Sequence, residues 1–265
     1  MWKPSSNGAS SPWKKRIRAV KKIVVVNNKG GVGKTTVASQ LAFHLAEAGH
    51  SVIAVDLDGQ KNLTSVMHGQ RIGGQTLHMI ETGEVPSIEV QAGEIVLVES
   101  SDELPVSTDD AILQRSAQAI AGLDGADFCI IDTPPTFSAT VYGALLSADF
   151  MISPIELKKF SLDGIEAVLK AFVQVQEINE HIQFLGLLPS RFDAVKQSER
   201  DTLQMVAESY ASLIIPYAIR NRIAYEAASA EGMHVKEVTT ASGREAAAEF
   251  KAFFQWFMTA IGEGN

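Results

Sequence analysis

One segment constrains the fold of this 265-residue chain more than any other feature: Lys29-Gly30-Gly31-Val32-Gly33-Lys34-Thr35-Thr36. It stands between a short apolar run, residues 23–27, and a helical pattern over residues 36–48. Glycines at a strand-to-helix turn let the backbone wrap around a polyphosphate, with N–H groups pointing inward and the helix N-terminus adding positive potential. The segment therefore predicts a phosphate-binding loop within an α/β fold.

Two side chains of this loop have predicted roles. Lys34 is expected to neutralise the β and γ phosphates of a bound nucleotide, and the Thr35 hydroxyl is expected to ligate Mg²⁺. The general P-loop pattern has glycine at position 28, where this chain has Asn28. Lys29 inside the loop marks a deviant Walker A motif instead. The alternative interpretation is a glycine-rich β–α turn that holds no ligand.

Acidic residues follow two other predicted strands. Asp56 and Asp58 begin the segment 56–64, and Asp132 precedes a Thr-Pro-Pro sequence. An open parallel sheet binds its ligand at the carboxyl ends of its strands. Carboxylates at that edge, beside a phosphate loop, can hold the Mg²⁺ shell or position an attacking water. The alternative role for each aspartate is a helix cap or a turn residue.

The order of apolar and helical patterns predicts a doubly wound α/β domain with a mostly parallel sheet flanked by helices. We assign residues 1–22 to a basic flexible leader and residues 23–265 to a single domain. Further strands are predicted at residues 51–57, 94–99, 128–132, 150–154, 182–188 and 213–215. Further helices are predicted at residues 107–121, 161–179, 197–209 and 244–261.

The charge distribution is uneven. The chain has 23 basic and 31 acidic residues, for a net charge of −8. The first 22 residues hold seven basic residues and no acid, so the remainder has a net charge of −15. The body therefore repels nucleic acid on average, and any DNA binding needs a local patch or the basic leader. The leader is alternatively a solvated segment without a ligand.

Cysteine content and hydropathy exclude several classes. A single cysteine, Cys129, excludes a disulfide framework and a cysteine-cluster metal site, and it favours a reducing cytoplasmic compartment. No apolar run approaches 18 residues, so we expect no membrane span, and no secretory signal follows the basic N-terminus. The six histidines show no metal-like spacing and are interpreted as packing or surface residues.

Segments 29–36, 56–64 and 130–135 resemble the ParA/MinD group of deviant Walker A ATPases, and within it the ParA partition ATPases of P-loop NTPase fold. The resemblance runs from about residue 22 to residue 238, with weaker matches at 160–164, at 215–216 and in the Arg-rich stretch before Glu226. It implies a dimer that sandwiches two ATP molecules, with Lys29 reaching the partner's phosphates. It also implies that Asp58 helps to activate water and that Asp56 and Asp132 lie near Mg²⁺. Gly59 replaces the family's usual proline, which leaves the hydrolysis rate open.

The resemblance implies a partition function. ATP would close a homodimer, the dimer would bind nonspecific DNA on the nucleoid, and a centromere-binding or cargo adaptor protein would stimulate hydrolysis and release. Arg220 and Arg222 lie where the resemblance implies DNA-contacting residues, although each could instead pair with Glu226 or another surface acid. Fewer residues precede the first strand than a helix-turn-helix domain needs, so operator binding is not expected.

Two other functions remain open on the same fold. One is a biosynthetic ATP-dependent enzyme, for which the sequence shows no dedicated substrate motif. The other is a membrane-surface ATPase like MinD, whose C-terminal basic amphipathic helix lies on lipid. Here an apolar stripe in residues 250–261 is flanked mainly by acids, which favours a helix that packs in the core or supports a dimer, so no membrane partner is expected. Segment 191–193 could line a nucleotide base or form a plain surface loop.

Overall fold

Eight strands form one sheet in the computed structural model, which describes residues 20–159 and 162–264. The sheet is parallel throughout, and its spatial order is β3-β4-β2-β5-β1-β6-β7-β8. The strands are Lys21–Val25 (β1), Val52–Asp56 (β2), Arg71–Gln75 (β3), Ile95–Glu99 (β4), Phe128–Asp132 (β5), Phe150–Glu156 (β6), Gln183–Phe192 (β7) and Ile219–Arg220 (β8). The order changes direction around β1, and this change opens a crevice at the carboxyl edge.

Helices cover both faces of this sheet. They are Lys34–Glu47 (α1), Asn62–Val66 (α2), Thr76–Thr82 (α3), Asp110–Gly122 (α4), Ala139–Leu146 (α5), Leu162–Gln176 (α6), Gln197–Ser209 (α7), Ile223–Glu231 (α8) and Ala241–Ala260 (α9). Buried side chains of α1, α2, α8 and α9 share one core, and those of α3 to α7 share the other. Successive β1 residues alternate between them: Val24 faces the second core, whereas Ile23 and Val25 face the first. The predicted doubly wound α/β fold is confirmed.

The first strand begins at Lys21, two residues before the predicted start. Lys22 is 1% exposed, and its ammonium donates hydrogen bonds to the carbonyl oxygens of Leu123 (3.0 Å) and Ala121 (3.4 Å) at the end of α4. Lys21 Nζ donates to Ile261 O (3.0 Å) and contacts Glu263 Oε1 (2.5 Å). Both lysines therefore belong to the sheet and not to the leader. The rest of the predicted leader, residues 1–19, lies outside the described residues.

Several helices and strands were not predicted from the sequence. The segments β3, β8, α2, α3, α5 and α8 were not predicted, and the strand predicted at residues 213–215 forms a single bridge between Ile214 and Leu187. The apolar stripe of α9 behaves as predicted, because Phe250, Phe253 and Phe257 are fully buried. Within the described ranges, none of the helices combines the length and apolar character needed to cross a bilayer.

Candidate functional site

The loop between β1 and α1 takes a shape that only glycine supports at two positions. Gly31 and Gly33 have φ values of 76° and 91°, in the left-handed region. A Cβ added at Gly33 would lie 2.6 Å from Ser190 Oγ at the end of β7, so this glycine also allows close packing. Gly33 is the N-cap of α1 and offers no capping side chain. The first N–H groups of α1 thus remain available to an anion.

Asn27 fixes the start of this loop to the neighbouring strand. Its buried amide nitrogen donates to Pro154 O (2.8 Å) and Ser153 Oγ (3.2 Å) on β6, and its Oδ1 accepts from the Lys29 backbone N–H (2.9 Å). The three contacting groups lie at the level of the sheet where β1 ends. The loop is therefore held in place by side-chain bonds before any ligand binds.

Lys34, the first residue of α1, points its ammonium into the loop. The side chain is buried, and Nζ donates to Lys29 O (3.0 Å). Burial lowers the pKa of Lys34, whereas the carboxylates of Asp132 and Asp58 raise it. A buried ammonium beside the uncapped start of a helix suits a polyanion such as a phosphate chain.

Asp132 and Thr35 meet at the carboxyl end of β5. Thr35 Oγ1 donates to Asp132 Oδ2 (2.6 Å), and Asp132 pairs in register with Asp56 on β2. Burial, and after it the charge of Asp56, raises the pKa of Asp132 to about 7. Lys34 is the cation that acts on Asp132, and its single charge does not balance two buried carboxylates side by side. Oxygen donors of this kind suit Mg²⁺. The donor set therefore fits the predicted metal.

The protein alone does not complete a metal shell. In the part of the chain that the structure describes, no group of three or more His, Cys, Asp or Glu side chains could hold a metal ion. Mg²⁺ is commonly held by one or two protein groups together with substrate phosphates and water. Here Thr35 and Asp132 would supply the protein side, so metal binding would depend on a phosphate ligand in the adjacent loop.

A closed ring of hydrogen bonds joins the Asp56 carboxylate at the end of β2 to the Asp58 backbone, Thr64 and Ser100. Asp56 accepts from Asp58 N–H (3.0 Å) and from the Thr64 backbone N–H and hydroxyl (both 2.8 Å). The Thr64 hydroxyl accepts from Ser100 N–H (3.0 Å), and the Ser100 hydroxyl donates to Asp58 O (2.8 Å). Neither Ser100 nor a role for Thr64 was predicted from the sequence. A hydroxyl directly after a predicted strand was the available signal.

The structure brings most of the predicted site residues together. The phosphate loop and the three aspartates lie together where β1, β2 and β5 end. These residues are Lys29, Gly30, Gly31, Val32, Gly33, Lys34, Thr35, Thr36, Asp56, Asp58 and Asp132. The weaker segment 191–193 also reaches this region. Ser190 and Arg191 lie against Gly33, and Arg191 has a φ of 54°. This placement favours the ligand-lining interpretation over a plain surface loop.

Arg220 and Arg222 lie away from that cluster, at β8 and just before α8. Arg222 contacts Glu245 and lies 3.4 Å from Glu249, and its side chain is 15% exposed. Arg220 Nε lies 3.6 Å from Glu249 and its side chain is 53% exposed. The ion-pairing alternative is therefore realised, with acids of α9 in place of the suggested Glu226. Arg220 retains more exposed guanidinium surface than Arg222.

Taken together, the parallel sheet, the glycine-rich loop at the first strand and the Lys34–Thr35–Asp132 arrangement define a P-loop nucleotide-binding protein. Residues 20–184 match the family model described as an AAA domain. This match covers the loop and all three aspartates of the site.

Comparison with known proteins narrows the class. The protein IncC of Escherichia coli is 31% identical over 256 residues, which covers 91% of this chain and 70% of IncC. The chromosome-partitioning ATPase Soj of Thermus thermophilus is 29% identical over 207 residues, covering 76% of this chain and 83% of Soj. The chain belongs to the ParA family of partition ATPases.

The fold is shared more widely than the family. Cobyrinic acid a,c-diamide synthase from Mycobacterium smegmatis, solved with an ATP analogue and magnesium, superposes with a TM-score of 0.75 at 24% identity. The alignment covers 93% of this chain and 97% of that enzyme. At this identity the likeness concerns the fold alone.

Proposed function

We propose that this protein binds ATP with Mg²⁺ and hydrolyses it in a DNA-partition cycle. The observation that carries the proposal is the meeting of Lys34, Thr35 and Asp132 at the carboxyl ends of β1 and β5. Lys34 would neutralise the β and γ phosphates, and the backbone N–H groups from Gly30 to Thr36 would cradle them. Thr35 and Asp132 would hold Mg²⁺, which supplies charge neutralisation at the phosphates when bound.

The hydrolysis step would depend on Asp58. Its carboxylate stands at the carboxyl edge beside Lys34, and its main chain is held by Asp56 and Ser100. A fixed carboxylate at this position would orient the attacking water and accept its proton. The family resemblance implies that hydrolysis is slow without a stimulating partner. Gly59 stands in place of the family's usual proline and leaves the rate itself to be measured.

Lys29 supports the proposed dimer. Its carbonyl oxygen is engaged by Lys34 and its N–H by Asn27, so the side chain starts from a fixed backbone at the mouth of the loop. A second protomer facing this edge would place Lys29 near the partner's phosphates. The resulting ATP-bound homodimer would bind nonspecific DNA on the nucleoid, and a centromere-binding or cargo adaptor protein would stimulate hydrolysis and release.

Sedimentation experiments distinguish the proposed partition function from the two alternative functions. We expect analytical ultracentrifugation to give a dimer with ATP and Mg²⁺ and a monomer with ADP, and only the ATP form to cosediment with DNA of arbitrary sequence. DNA binding should weaken steeply with salt, with a log–log slope of about −0.9 per neutralised phosphate. Cosedimentation with anionic liposomes instead would support a MinD-like function. Hydrolysis that requires a small-molecule acceptor would support a biosynthetic enzyme.

A further inference from the structure

The most exposed large apolar side chains of the described residues lie at one edge of the sheet. Val195 is 86% exposed, Val106 is 77% exposed and Ile223 is 73% exposed. Val106 lies in the loop after β4, Val195 in the loop after β7, and Ile223 shortly after β8. Because all eight strands are parallel, these positions share the carboxyl edge, which also holds the phosphate loop. Single exposed apolar side chains are ordinary, whereas three on one edge indicate a surface that another molecule covers.

One half of this edge is acidic. Residues 101–110, here called the acidic loop, follow β4 and contain four acids and no base. Only Asp102 of the four has an ion pair within the described ranges. Glu103, Asp109 and Asp110 are exposed. The acidic loop therefore presents uncompensated negative charge around Val106.

The other half of the edge carries the opposite charge. The basic loop, residues 191–200 after β7, has three bases and two acids, which are Arg191, Lys196, Arg200, Asp193 and Glu199. Lys196 pairs with both acids (3.0 and 3.5 Å). Arg191 and Arg200 are exposed, and neither forms an ion pair among the residues that the structure describes. Exposed Lys158, after β6, adds to the positive charge on this side.

The strand order places these two loops symmetrically about the nucleotide site. In the order β3-β4-β2-β5-β1-β6-β7-β8, β4 is second from one end and β7 is second from the other. At about 4.8 Å between strands, the two loops lie about 24 Å apart, and their midpoint falls between β5 and β1. Asp132 at the end of β5 and Lys34 after β1 lie at this midpoint. A two-fold axis there, directed from one helical layer to the other, brings the acidic loop of each protomer onto the basic loop of the other.

We propose that the carboxyl edge binds a second copy of this chain, with the acidic loop of each protomer seated on the basic loop of the other. Charge complementarity selects this direction of the axis, because an axis along the sheet would place each loop on its own equivalent and bring like charges together. Val106 and Val195 then come together and bury apolar surface. The inference rests on the proposed ATP-bound dimer and specifies which surfaces join in it.

The docked copy also covers the surroundings of Asp58. A cavity of about 560 Å³ has Asp58, Asp102, Val106 and Pro134 among its lining residues. A copy seated on Val106 therefore lies over a wall of the cavity that contains the Asp58 carboxylate, so docking restricts the water around that group. Dimerisation and hydrolysis are coupled through the acidic loop.

Charge reversal tests this docking. The acid-reversed chain carries Glu103→Lys, Thr108→Lys and Asp110→Lys, and the base-reversed chain carries Ser198→Glu and Arg200→Glu. All five positions are exposed, and Asp109 is retained because it caps α4. In ultracentrifugation with ATP and Mg²⁺, we expect each chain alone to dimerise at least about tenfold more weakly than the wild type. An equimolar mixture should form heterodimers at near wild-type affinity, because both loop contacts then join opposite charges again.

A matched control carries Gln176→Lys, Glu177→Lys and Glu180→Lys, which make the same change of net charge between α6 and β7 at the opposite edge of the sheet. It should dimerise like the wild type. Val106→Ser should weaken the dimer severalfold, whereas Val173→Ser, at an exposed position of α6, should not. The affinity for ADP should be unchanged in every variant, because no substituted residue lies in the phosphate loop.

The possible outcomes separate the docking from the proposed function. A wild type that stays monomeric with ATP and Mg²⁺ would remove both. The wild type could instead dimerise while the acid-reversed chain is weakened no more than the control, or while the mixture dimerises no better than either reversed chain alone. Either result would overturn the docking and leave the proposed function standing.

Discussion

Lys29 and Lys34 stand five residues apart in one loop and have different surroundings. Lys34 is buried with its ammonium on Lys29 O, whereas Lys29 is partly exposed at the mouth of the loop. A buried ammonium within the phosphate cradle can contact only the phosphates bound to its own protomer. A lysine at the rim can contact phosphates bound to a facing protomer. Truncating Lys34 should therefore weaken nucleotide binding, whereas truncating Lys29 should impair dimerisation.

Lys34→Ala should weaken ATP and ADP binding by about 100-fold or more, because a charge-assisted contact to phosphate contributes up to about 3 kcal/mol. Lys29→Ala should leave nucleotide affinity unchanged while abolishing ATP-dependent dimerisation and hydrolysis. Calorimetry with Mg²⁺ measures the affinity, and ultracentrifugation measures the dimer. Wild-type turnover in Lys29→Ala would remove the main support for a sandwich dimer.

Asp58→Ala should give an ATP-bound dimer that does not hydrolyse. The variant keeps the phosphate and metal contacts of Lys34, Thr35 and Asp132 and loses only a carboxylate that positions water. Dimer mass and phosphate release, measured on one sample, separate the two properties. A variant that no longer dimerises would assign Asp58 to metal binding or folding.

Thr64 and Ser100 are positioning residues, because they contact Asp56 and Asp58 and not the phosphate loop. Thr64→Val removes one donor and one acceptor from the ring and should lower kcat by about tenfold with KM for ATP unchanged. Thr64→Ser restores the hydroxyl and should restore kcat. Equal losses in the Val and Ser variants would contradict the hydrogen-bonding role.

The two candidate DNA-binding arginines, where β8 meets α9, differ in how far they are buried. Arg222 is mostly buried against Glu245 and Glu249. Arg222→Ala leaves the buried Glu249 with Arg220 as its remaining basic partner and should lower the free energy of unfolding by about 1–3 kcal/mol. Arg220→Ala should change stability little and weaken DNA binding with a shallower salt slope. Urea denaturation and DNA titrations at several salt concentrations check both. Unchanged DNA affinity in Arg220→Ala would remove Arg220 from the DNA surface.

The elements that carry the site were predictable because their signals are local. β2 and β5 are apolar runs that end at an aspartate, β1 is followed within five residues by the first glycine of the loop, and α1 begins at Lys34. The edge strand β3 was missed because Gly73 and Gly74 weaken its pattern. α5 was missed because its placement depends on Gly143, where a Cβ would lie 2.8 Å from Leu113 O of α4.

Contacts between distant elements were not predictable from local pattern. Ser100 meets Thr64 and Asp58 because β4 lies beside β2, and strand order is set by packing of the whole sheet. The partners of Arg222 come from α9, more than twenty residues later. Lys22 gave a misleading signal, because its charge suggested a solvated leader while its position in β1 buries the stem against α4.

At the scale of the whole molecule, a histidine pair joins the phosphate-loop helix to the C-terminal layer. The rings of His44 on α1 and His234 lie 4.0 Å apart, and His44 stacks on Phe250 of α9. Burial lowers the pKa of His44 to about 4 and that of His234 to about 3. Both rings are therefore neutral in the folded protein near pH 6.

Stability should fall as the pH drops below about 6.5, because the unfolded chain then binds two protons that the folded chain excludes. The loss continues until the pH approaches 3, and between pH 7.5 and pH 5.5 it should amount to about 3 kcal/mol. Of the facing charges, Glu47 favours protonation and Lys236 and Lys251 oppose it. Urea unfolding at pH 7.5 and 5.5 measures the slope, which His44→Gln with His234→Gln should flatten.

Exposed His78 provides the matched control. Its side chain is 59% exposed, so His78→Gln should retain the wild-type dependence of stability on pH. Carboxylates that titrate in the same range affect both variants equally. A double variant with the wild-type slope would show that the histidine pair does not cause the acid sensitivity.

The central place of β1 also determines when the chain can fold. Ile23 pairs with Ile130 on one side and with Phe150 on the other, more than 100 positions away in each case. Such distant pairings slow folding because a long loop must close before any contact is formed. During synthesis, β1 therefore has no strand to pair with until β5 and β6 have left the ribosome. A nascent chain that ends before residue 128 cannot form the phosphate cradle, although it already contains all eight residues of the loop.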